Sequence, residues 1–239
     1  MNPTEEPQEN IQANGFTIID AVFTTPELAK IVSAVNQASQ SNANFRKTED
    51  QFAIRQLLKE ILVVKQLVFN NKLKSLIQSI FGNDYFVVKS IYFDKPEQSN
   101  WFVAWHQDLT ISVNKKAEIP GYSSWTVKSN QFAVQPPVNI LQDNFTIRIH
   151  LDDTDEGNGA LKVIPGSHLN GIQRPDNINW HSTVEYTCHV KAGGVMIMKP
   201  LIMHASNRTT NNKQRRVIHI EFSKSVLPEA IDWAEMENY

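Results

Sequence analysis

The sequence predicts a mainly β protein, an antiparallel sandwich or jelly roll with flanking α-helices packed on one sheet. Helical spacing of apolar residues is confined to the first third of the chain. Seven short β-rich segments follow without helices between them, which is typical of antiparallel sheets. With 239 residues and 41% hydrophobic content, the chain is long enough to bury one large core, so we expect a single domain over residues 1–239.

The N-terminal part, residues 1–84, is predicted to be mostly helical and packed on the sheet. We expect the first dozen residues to be disordered and a strand to lead from them into a helix. Thr25 is the predicted cap of this helix, with Pro26 at the first helical position. After a polar stretch, apolar spacing over residues 51–82 predicts two helices, and Gly82 is the expected stop.

The β core is predicted over residues 85–222, and residues 223–239 form a C-terminal tail. Each strand segment is rich in β-branched and aromatic residues and is bounded by turn residues. The predicted strands are 85–93, 101–108, 145–151, 160–164, 184–190, 194–198 and 215–222.

A long connection at residues 111–144 interrupts the predicted core. Connections of this length in a compact domain are usually functional or mobile. Tyr122, Trp125 and Phe132 give it apolar anchors, so we interpret it as a lid that is mobile without ligand. An insertion packed on the surface accounts for the sequence equally well.

Composition excludes several classes of function. The formal net charge is −2 and opposite charges are interleaved, so we expect no nucleic-acid partner and no anionic membrane surface. No segment approaches the ~20 apolar residues of a membrane span, and the polar, acidic N-terminus predicts a cytoplasmic protein. Cys188 is the one cysteine of the chain, which excludes an internal disulfide and indicates a packing role. No pattern indicates an oligomeric state.

The segment FVAWHQDLT places His106 and Asp108 two residues apart after bulky apolar residues. Side chains at i and i+2 of a strand share a face, so the imidazole and the carboxylate converge. A buried charge is costly unless it is paired or bound to a metal. His204, at the end of the apolar segment GGVMIMKPLIMH, is the predicted third ligand. Two histidines and a carboxylate suit a non-haem iron(II) oxygenase; zinc accepts the same ligands, although the HExxH motif is absent.

The segment RRVIHIEF at 215–222 supplies a candidate anion site. Arginine binds a carboxylate through two parallel hydrogen bonds, which suits the distal carboxylate of a keto acid such as 2-oxoglutarate. Arg215 and Arg216 point to opposite faces, and alternation alone does not choose between them. The polar faces of the two strands consist of Arg215, Val217, His219 and Glu221 and of Thr146, Arg148, His150 and Asp152. Such faces line a cavity or meet solvent, and the pattern leaves both readings open.

Three ordered motifs resemble the phytanoyl-CoA dioxygenase family of iron(II)- and 2-oxoglutarate-dependent oxygenases. They are WHQD at 105–108, GNGALKVIPGSH at 157–168 and HASNRTTNNKQRR at 204–216, and the likeness spans roughly residues 85–222. The resemblance implies a double-stranded β-helix, the cupin-like form of the jelly roll. It also implies Fe(II) as the metal, with 2-oxoglutarate and O₂ as co-substrates.

The resemblance also implies roles for individual residues. Iron is held by His106, Asp108 and His204. The family spacing selects Arg215 over Arg216 for 2-oxoglutarate, with help from Ser206. Gln107 and Arg148 match two further positions that lie near the co-substrate in relatives. At the position of Arg148, relatives commonly have an aromatic residue. The remaining histidines are predicted to be structural, His168 in a turn, and those that come nearest the cavity are His150 and His219.

The chemistry that the resemblance implies is hydroxylation of an unactivated C–H bond of a small-molecule substrate, with release of succinate and CO₂ and stimulation by ascorbate. Relatives that halogenate lack the carboxylate ligand, whereas Asp108 is present here. No dense Lys/Arg cluster indicates a coenzyme A phosphate site. Two alternatives remain open: a zinc or nickel cupin-like enzyme that does not use 2-oxoglutarate, and a β-helix protein that serves as a binding module.

Overall fold

A computed structural model describes residues 7–38, 45–47, 52–97, 101–128 and 131–239. The described helices are α1 (Pro7–Asn14), α2 (Thr25–Gln37), α3 (Leu57–Glu60), α4 (Leu62–Val68), α5 (Asn71–Phe81) and α6 (Val138–Asp143). The described strands are β1 (Phe16–Ile19), β2 (Phe45–Lys47), β3 (Phe52–Arg55), β4 (Phe86–Lys95), β5 (Val103–His106), β6 (Ile111–Val113), β7 (Ser123–Lys128), β8 (Gln131–Gln135), β9 (Phe145–His150), β10 (Leu161–Val163), β11 (Tyr186–Thr187), β12 (Val195–Met198), β13 (His204–Ser206) and β14 (Arg215–Ser223).

Two antiparallel sheets form the β core. The larger sheet has seven strands in the order β1-β12-β9-β14-β4-β3-β2, and the smaller has four in the order β11-β10-β13-β5. Their facing surfaces share one apolar cluster, in which Met196 and Met198 of the larger sheet meet Leu161 and Val163 of the smaller. The prediction of a mainly β jelly roll with flanking helices is confirmed.

The larger sheet is buried on both faces, for different reasons. Its outer face carries Ile147, Ile149, Ile218 and Ile220, which pack in one apolar cluster with residues of α2, α4 and α5. Its inner face carries the polar residues of β9 and β14, and these too are buried. The residues of these predicted polar faces are therefore buried, except Asp152, which follows β9, is partly exposed and pairs with Arg216.

The N-terminal part differs from the prediction. Residues 7–12, expected to be disordered, belong to α1, in which Ile11 is buried, while residues 1–6 lie outside the described part. The cap of α2 is Thr24 rather than Thr25: its side chain accepts the Glu27 N–H, and the Glu27 carboxylate accepts the Thr24 N–H at 2.7 Å. A capping box needs its glutamate three residues after the cap, a spacing that Thr24 satisfies and Thr25 does not.

The prediction of two helices over residues 51–82 is wrong for residues 52–55, which form β3. Residue 51 lies outside the described residues, and β3 follows it as a strand of the larger sheet. Its residues read as helical because a short buried strand cannot be distinguished from a helix segment by apolar spacing. The helix predicted next is divided into α3 and α4, whereas α5 ends at Gly82, which has φ 84°, as expected.

The connection at 111–144 is a folded unit. Strands β6, β8 and β7 form a three-stranded antiparallel sheet, and α6 follows it. Ile111, Val113 and Val134 are buried in a cluster with Ile231 and Trp233 of the C-terminal segment, so residues 223–239 hold this sheet in place. No described helix is long and apolar enough to cross a membrane.

We expect Ile218→Ala to lower the free energy of unfolding by about 2–5 kcal/mol, because the side chain is 0% exposed beneath the helices and its removal leaves a cavity. Urea unfolding followed by circular dichroism measures the change. The matched control is Val184→Ala, at a position 77% exposed, for which we expect a change within about 0.5 kcal/mol. Equal effects at the two positions would contradict the assignment of the outer face as the core.

Candidate metal centre and anion cavity

Three side chains converge between the sheets at the ends of β5 and β13. His106 and His204 are paired positions of these strands, and Asp108 follows β5 by two residues. Nε2 of His106 lies 3.8 Å from Oδ1 of Asp108, and Nε2 of His204 lies 3.8 Å from Oδ2. The donor atoms of all three lie within 4.8 Å of one another, so a single metal ion can contact them together.

Each histidine is oriented by the backbone of its own chain segment. Nδ1 of His106 donates to the Ala104 carbonyl at 2.8 Å, and Nδ1 of His204 donates to the Ile202 carbonyl at 2.9 Å. Because Nδ1 carries the proton in both rings, Nε2 presents its lone pair to the cavity. This is the tautomer that a metal-binding imidazole requires.

The protonation states also suit a divalent cation. Burial lowers the pKa of His204 to about 4, so its ring is neutral near pH 7. Burial by itself would raise the pKa of Asp108, but the nearby His204, His219 and Lys89 outweigh it and hold that pKa below its usual value. A metal ion can therefore bind the neutral imidazole of His204 and the carboxylate of Asp108 without displacing a proton from either. These protonation states fit a site of two histidines and one carboxylate.

The converging donors open into a cavity of about 200 Å³. Its walls combine apolar side chains from β4, β5, β10 and the segment between β4 and β5 with charged side chains from the larger sheet. The lining consists of Phe93, Trp101, Val103, His106, Asp108, Arg148, Leu161, His204, Ser206, Arg215 and His219.

Arg215 brings an unpaired cation into this cavity. Its side chain is buried, and its Nε and Nη1 have no hydrogen-bond partner among the described residues. Burial, with the like charge of Arg148, lowers the pKa of the guanidinium to about 9. A buried guanidinium without a partner is costly, and two coplanar carboxylate oxygens satisfy it. The distal carboxylate of 2-oxoglutarate fits this requirement.

Arg216 points to the opposite face and is already paired. Its Nε and Nη2 donate to the two carboxylate oxygens of Asp152 at 2.8 and 2.6 Å. The structure therefore places Arg215, and not Arg216, in the cavity lining, while its binding of 2-oxoglutarate stays a prediction.

Ser206 lies beside Arg215 in the lining, and its hydroxyl donates to the Gly159 carbonyl at 2.8 Å. Its oxygen still has lone pairs but no free proton, so it binds an anion only if this bond is exchanged.

Lys95 is a basic residue of this region that the sequence analysis missed. It is the position on β4 paired with Arg215, and its side chain is buried with Nζ donating to the Asn207 carbonyl at 2.5 Å. Burial and the charge of Arg215 lower the pKa of Lys95 to about 8. The predicted strand ended at residue 93; two more residues of alternation would have placed Lys95 on the inner face.

Gln107 does not line the cavity, and its role near the co-substrate stays a prediction. Its Nε2 donates to the carbonyls of Leu201 and Gly171 at 2.6 and 2.9 Å, and its Oε1 accepts the Gln173 N–H at 2.8 Å. It lies between the two metal-site positions His106 and Asp108, and adjacent residues in extended chain face opposite ways.

Of three other histidines, one lines the cavity and two make contacts elsewhere in the fold. His219 lines the cavity, whereas His150 does not; its Nδ1 lies 2.8 Å from Oγ1 of Thr154. His168 packs over Gly15 with Nε2 at 3.2 Å from the Gln12 carbonyl, so its predicted structural role is confirmed.

The lid interpretation of residues 111–144 gains no support from the cavity. The lining contains no described residue of that segment, and Trp125 packs instead with the cluster around Trp233. Its apolar anchors cover the small sheet and the C-terminal segment rather than a substrate. The alternative reading, an insertion packed on the surface, agrees with the structure.

The relationship to known proteins agrees with this geometry. The family model described as Phytanoyl-CoA dioxygenase (PhyH) matches residues 11–217, which is most of the chain and includes all three converging donors. The chain belongs to the phytanoyl-CoA dioxygenase family.

Two curated relatives show the range of this family. A "Probable alpha-ketoglutarate-dependent hypophosphite dioxygenase" of Stutzerimonas stutzeri is 26% identical over 198 residues, which cover 77% of this chain and 59% of the relative. An "Ectoine dioxygenase" of Bordetella bronchiseptica is 23% identical over 168 residues, covering 67% of this chain and 48% of the relative. The chain thus spans about half the length of these relatives.

Solved structures confirm the jelly-roll fold. The non-heme alpha ketoglutarate dependent carbocyclase SnoK from nogalamycin biosynthesis superposes with a TM-score of 0.68 at 16% identity, covering 93% of this chain and 84% of that one. HygX from Streptomyces hygroscopicus, solved with nickel and 2-oxoglutarate bound, gives a TM-score of 0.67 at 15% identity, with 95% and 89% coverage.

We expect His106→Ala, Asp108→Ala and His204→Ala each to weaken binding of Mn(II) or Fe(II) by at least about 100-fold, because each removes one of three converging donors. Anaerobic titration followed by the electron paramagnetic resonance signal of free Mn(II) measures the affinity. The matched control is His189→Gln, an exposed histidine paired with Glu156, which we expect to leave affinity unchanged. Wild-type affinity in any of the three alanine variants would remove that residue from the ligand set.

Proposed function

We propose that this chain is an Fe(II)- and 2-oxoglutarate-dependent dioxygenase that hydroxylates a C–H bond of a small molecule and releases succinate and CO₂. The observation that carries the proposal is one cavity that holds both the converging donors of His106, Asp108 and His204 and the unpartnered guanidinium of Arg215. In this cavity the three donors suit the metal, and the guanidinium of Arg215 suits a carboxylate of the dianionic co-substrate.

The roles of the residues follow from their positions. His106, Asp108 and His204 would hold the metal beside the cavity that they line. Arg215 anchors the distal carboxylate of the co-substrate, and Lys95 adds positive charge behind it. Phe93, Trp101, Val103 and Leu161 provide an apolar wall that excludes water from the reaction.

Iron(II) and 2-oxoglutarate, when bound, supply the oxidising power, because decarboxylation of the co-substrate by O₂ drives insertion of one oxygen atom into the substrate. The protein's own contribution is to hold, orient and shield these groups. Asp108 keeps a carboxylate in the ligand set, which supports hydroxylation rather than halogenation. We expect ascorbate to stimulate turnover.

The volume of the cavity indicates the size of the substrate. A volume of about 200 Å³ is below the roughly 300–1,000 Å³ of sites for drug-sized ligands, which supports a small substrate. Relatives named for hypophosphite and ectoine agree with this class.

We also infer that residues 1–239 act as one catalytic domain, because both sheets contribute residues to the cavity. A cytoplasmic location and the absence of a nucleic-acid or membrane partner stay predictions.

The alternative of a zinc or nickel enzyme without 2-oxoglutarate accounts for the three donors but gives no use to Arg215. A binding module that has lost catalysis would not need an oriented imidazole tautomer at both histidines. The dioxygenase accounts for both observations.

We expect the protein with Fe(II), ascorbate and O₂ to form succinate from 2-oxoglutarate slowly without added substrate. In this assay Arg215→Gln should raise the apparent KM for 2-oxoglutarate about thirtyfold or more, because a buried charged hydrogen-bond pair costs about 2 kcal/mol or more to break. Mass spectrometry of succinate measures the rate.

The matched control is Arg216→Gln, which we expect to lower stability by about 1–3 kcal/mol through loss of the Asp152 pair while leaving that KM unchanged. A metal-loaded protein that forms no succinate and binds no 2-oxoglutarate would contradict the proposed function. A larger KM effect at Arg216 than at Arg215 would contradict the assignment of the anchor.

A further inference from the structure

Arg148 is a second buried cation in the cavity, and the proposed chemistry leaves it unassigned. The distal carboxylate of 2-oxoglutarate is accounted for by Arg215. Arg148, on β9, is 8% exposed and lines the same cavity as the metal donors. Its Nε has no hydrogen-bond partner within the part of the chain that the structure describes.

The hydrogen bond that orients Arg148 does not neutralise it. Nη1 of Arg148 lies 3.1 Å from Nδ1 of His219, and because a guanidinium only donates, this Nδ1 accepts. The ring is therefore neutral and carries its proton on Nε2, which donates to Oε1 of Glu221 at 3.0 Å. Lys89 donates to the same Oε1 at 2.7 Å and balances the charge of Glu221. Arg148 is thus held in place by a neutral group.

The formal charges of the loaded cavity leave a positive surplus. A divalent metal and the two arginines bring four positive charges, Asp108 removes one and 2-oxoglutarate removes two. Asp108 is the acid whose charge reaches Arg148, but this carboxylate is a proposed metal ligand. One positive charge remains, and Lys95 adds to it. An unpaired buried charge is strongly unfavourable, so an anionic group beside Arg148 would stabilise the complex.

We infer that Arg148 binds an anionic group of the substrate, and that the substrate is a small oxyanion of carboxylate or phosphorus type. The inference rests on the proposed function, whose substrate it narrows. Since His219 takes Nη1, the edge formed by Nε and Nη2 of Arg148 is left to contact two oxygens side by side. The anion must be small, because the cavity of about 200 Å³ also receives the co-substrate.

The test measures anion binding directly rather than turnover. Protein loaded anaerobically with Fe(II) and 2-oxoglutarate is titrated calorimetrically at fixed ionic strength with acetate, with hypophosphite and with neutral acetamide. We expect at least one anion to bind and acetamide not to bind. The better of the two anions distinguishes a carboxylate substrate from a phosphorus oxyanion.

Variants assign this binding to one side chain. Arg148→Gln should weaken anion binding about thirtyfold or more, because a buried charge loses its partner, and Arg148→Lys should restore part of it. The control Lys74→Gln removes one exposed charge on α5, behind the outer face of the sheet, and should have no effect. The charge-transfer absorbance of the Fe(II) complex measures 2-oxoglutarate affinity separately, and we expect Arg215→Gln to reduce it far more than Arg148→Gln does.

Two other results overturn the inference, and a third overturns only the proposed function. If Arg148→Gln weakens 2-oxoglutarate binding as much as Arg215→Gln while anion binding is unchanged, Arg148 belongs to the co-substrate site. If neither anion binds wild-type protein that holds 2-oxoglutarate, the substrate is not a small oxyanion, although the proposed function stands. If 2-oxoglutarate itself does not bind, the proposed function fails, and the same titration without it still decides whether Arg148 binds anions. Thermal unfolding checks every variant, and Arg148→Lys and Arg148→Met carry the comparison if Arg148→Gln does not fold.

Discussion

Among the residues that the structure describes, two guanidiniums are buried in one cavity without an anionic hydrogen-bond partner, and the rest of the structure depends on this constraint. Their burial is tolerated because the same strands that carry Arg148 and Arg215 inward carry isoleucines outward, into an apolar cluster with the helices. Apolar burial of this kind stabilises by roughly 25 cal/mol per Å² and is independent of what the inner face binds. Packing of the outer face therefore stabilises the fold, while the arginines of the inner face remain able to bind anions.

The two sheets contribute different functional side chains to the cavity. The histidines come from paired positions of the smaller sheet, and the arginines come from the larger one. Because metal and anion sites are on opposite walls, their separation is set by the packing between the sheets around Met196 and Met198. A substitution in that shared cluster would change the distance between the sites without touching either of them.

Much of the site was predictable because strand alternation and motif spacing act locally. The pair His106 and Asp108 and the direction of Arg215 follow from residues a few positions apart. The orientation of Gln107 away from the cavity was not predicted, because proximity in a motif does not determine which way a side chain faces. Lys95 and the β strands of residues 111–144 were missed because a strand's end and its partners depend on distant segments, such as the pairing of Val113 with Trp233.

His106 and His204, the proposed metal ligands, are each oriented by the main-chain carbonyl two residues earlier, at Ala104 and Ile202. The tautomer of each ring is consequently a property of the local backbone path. Wall residues outside the shared cluster, such as Trp101 or Val103, can be exchanged during evolution or engineering without disturbing it. A scaffold of this kind can diversify what it accepts while its metal chemistry stays the same, which makes the cavity wall the natural place to redesign specificity.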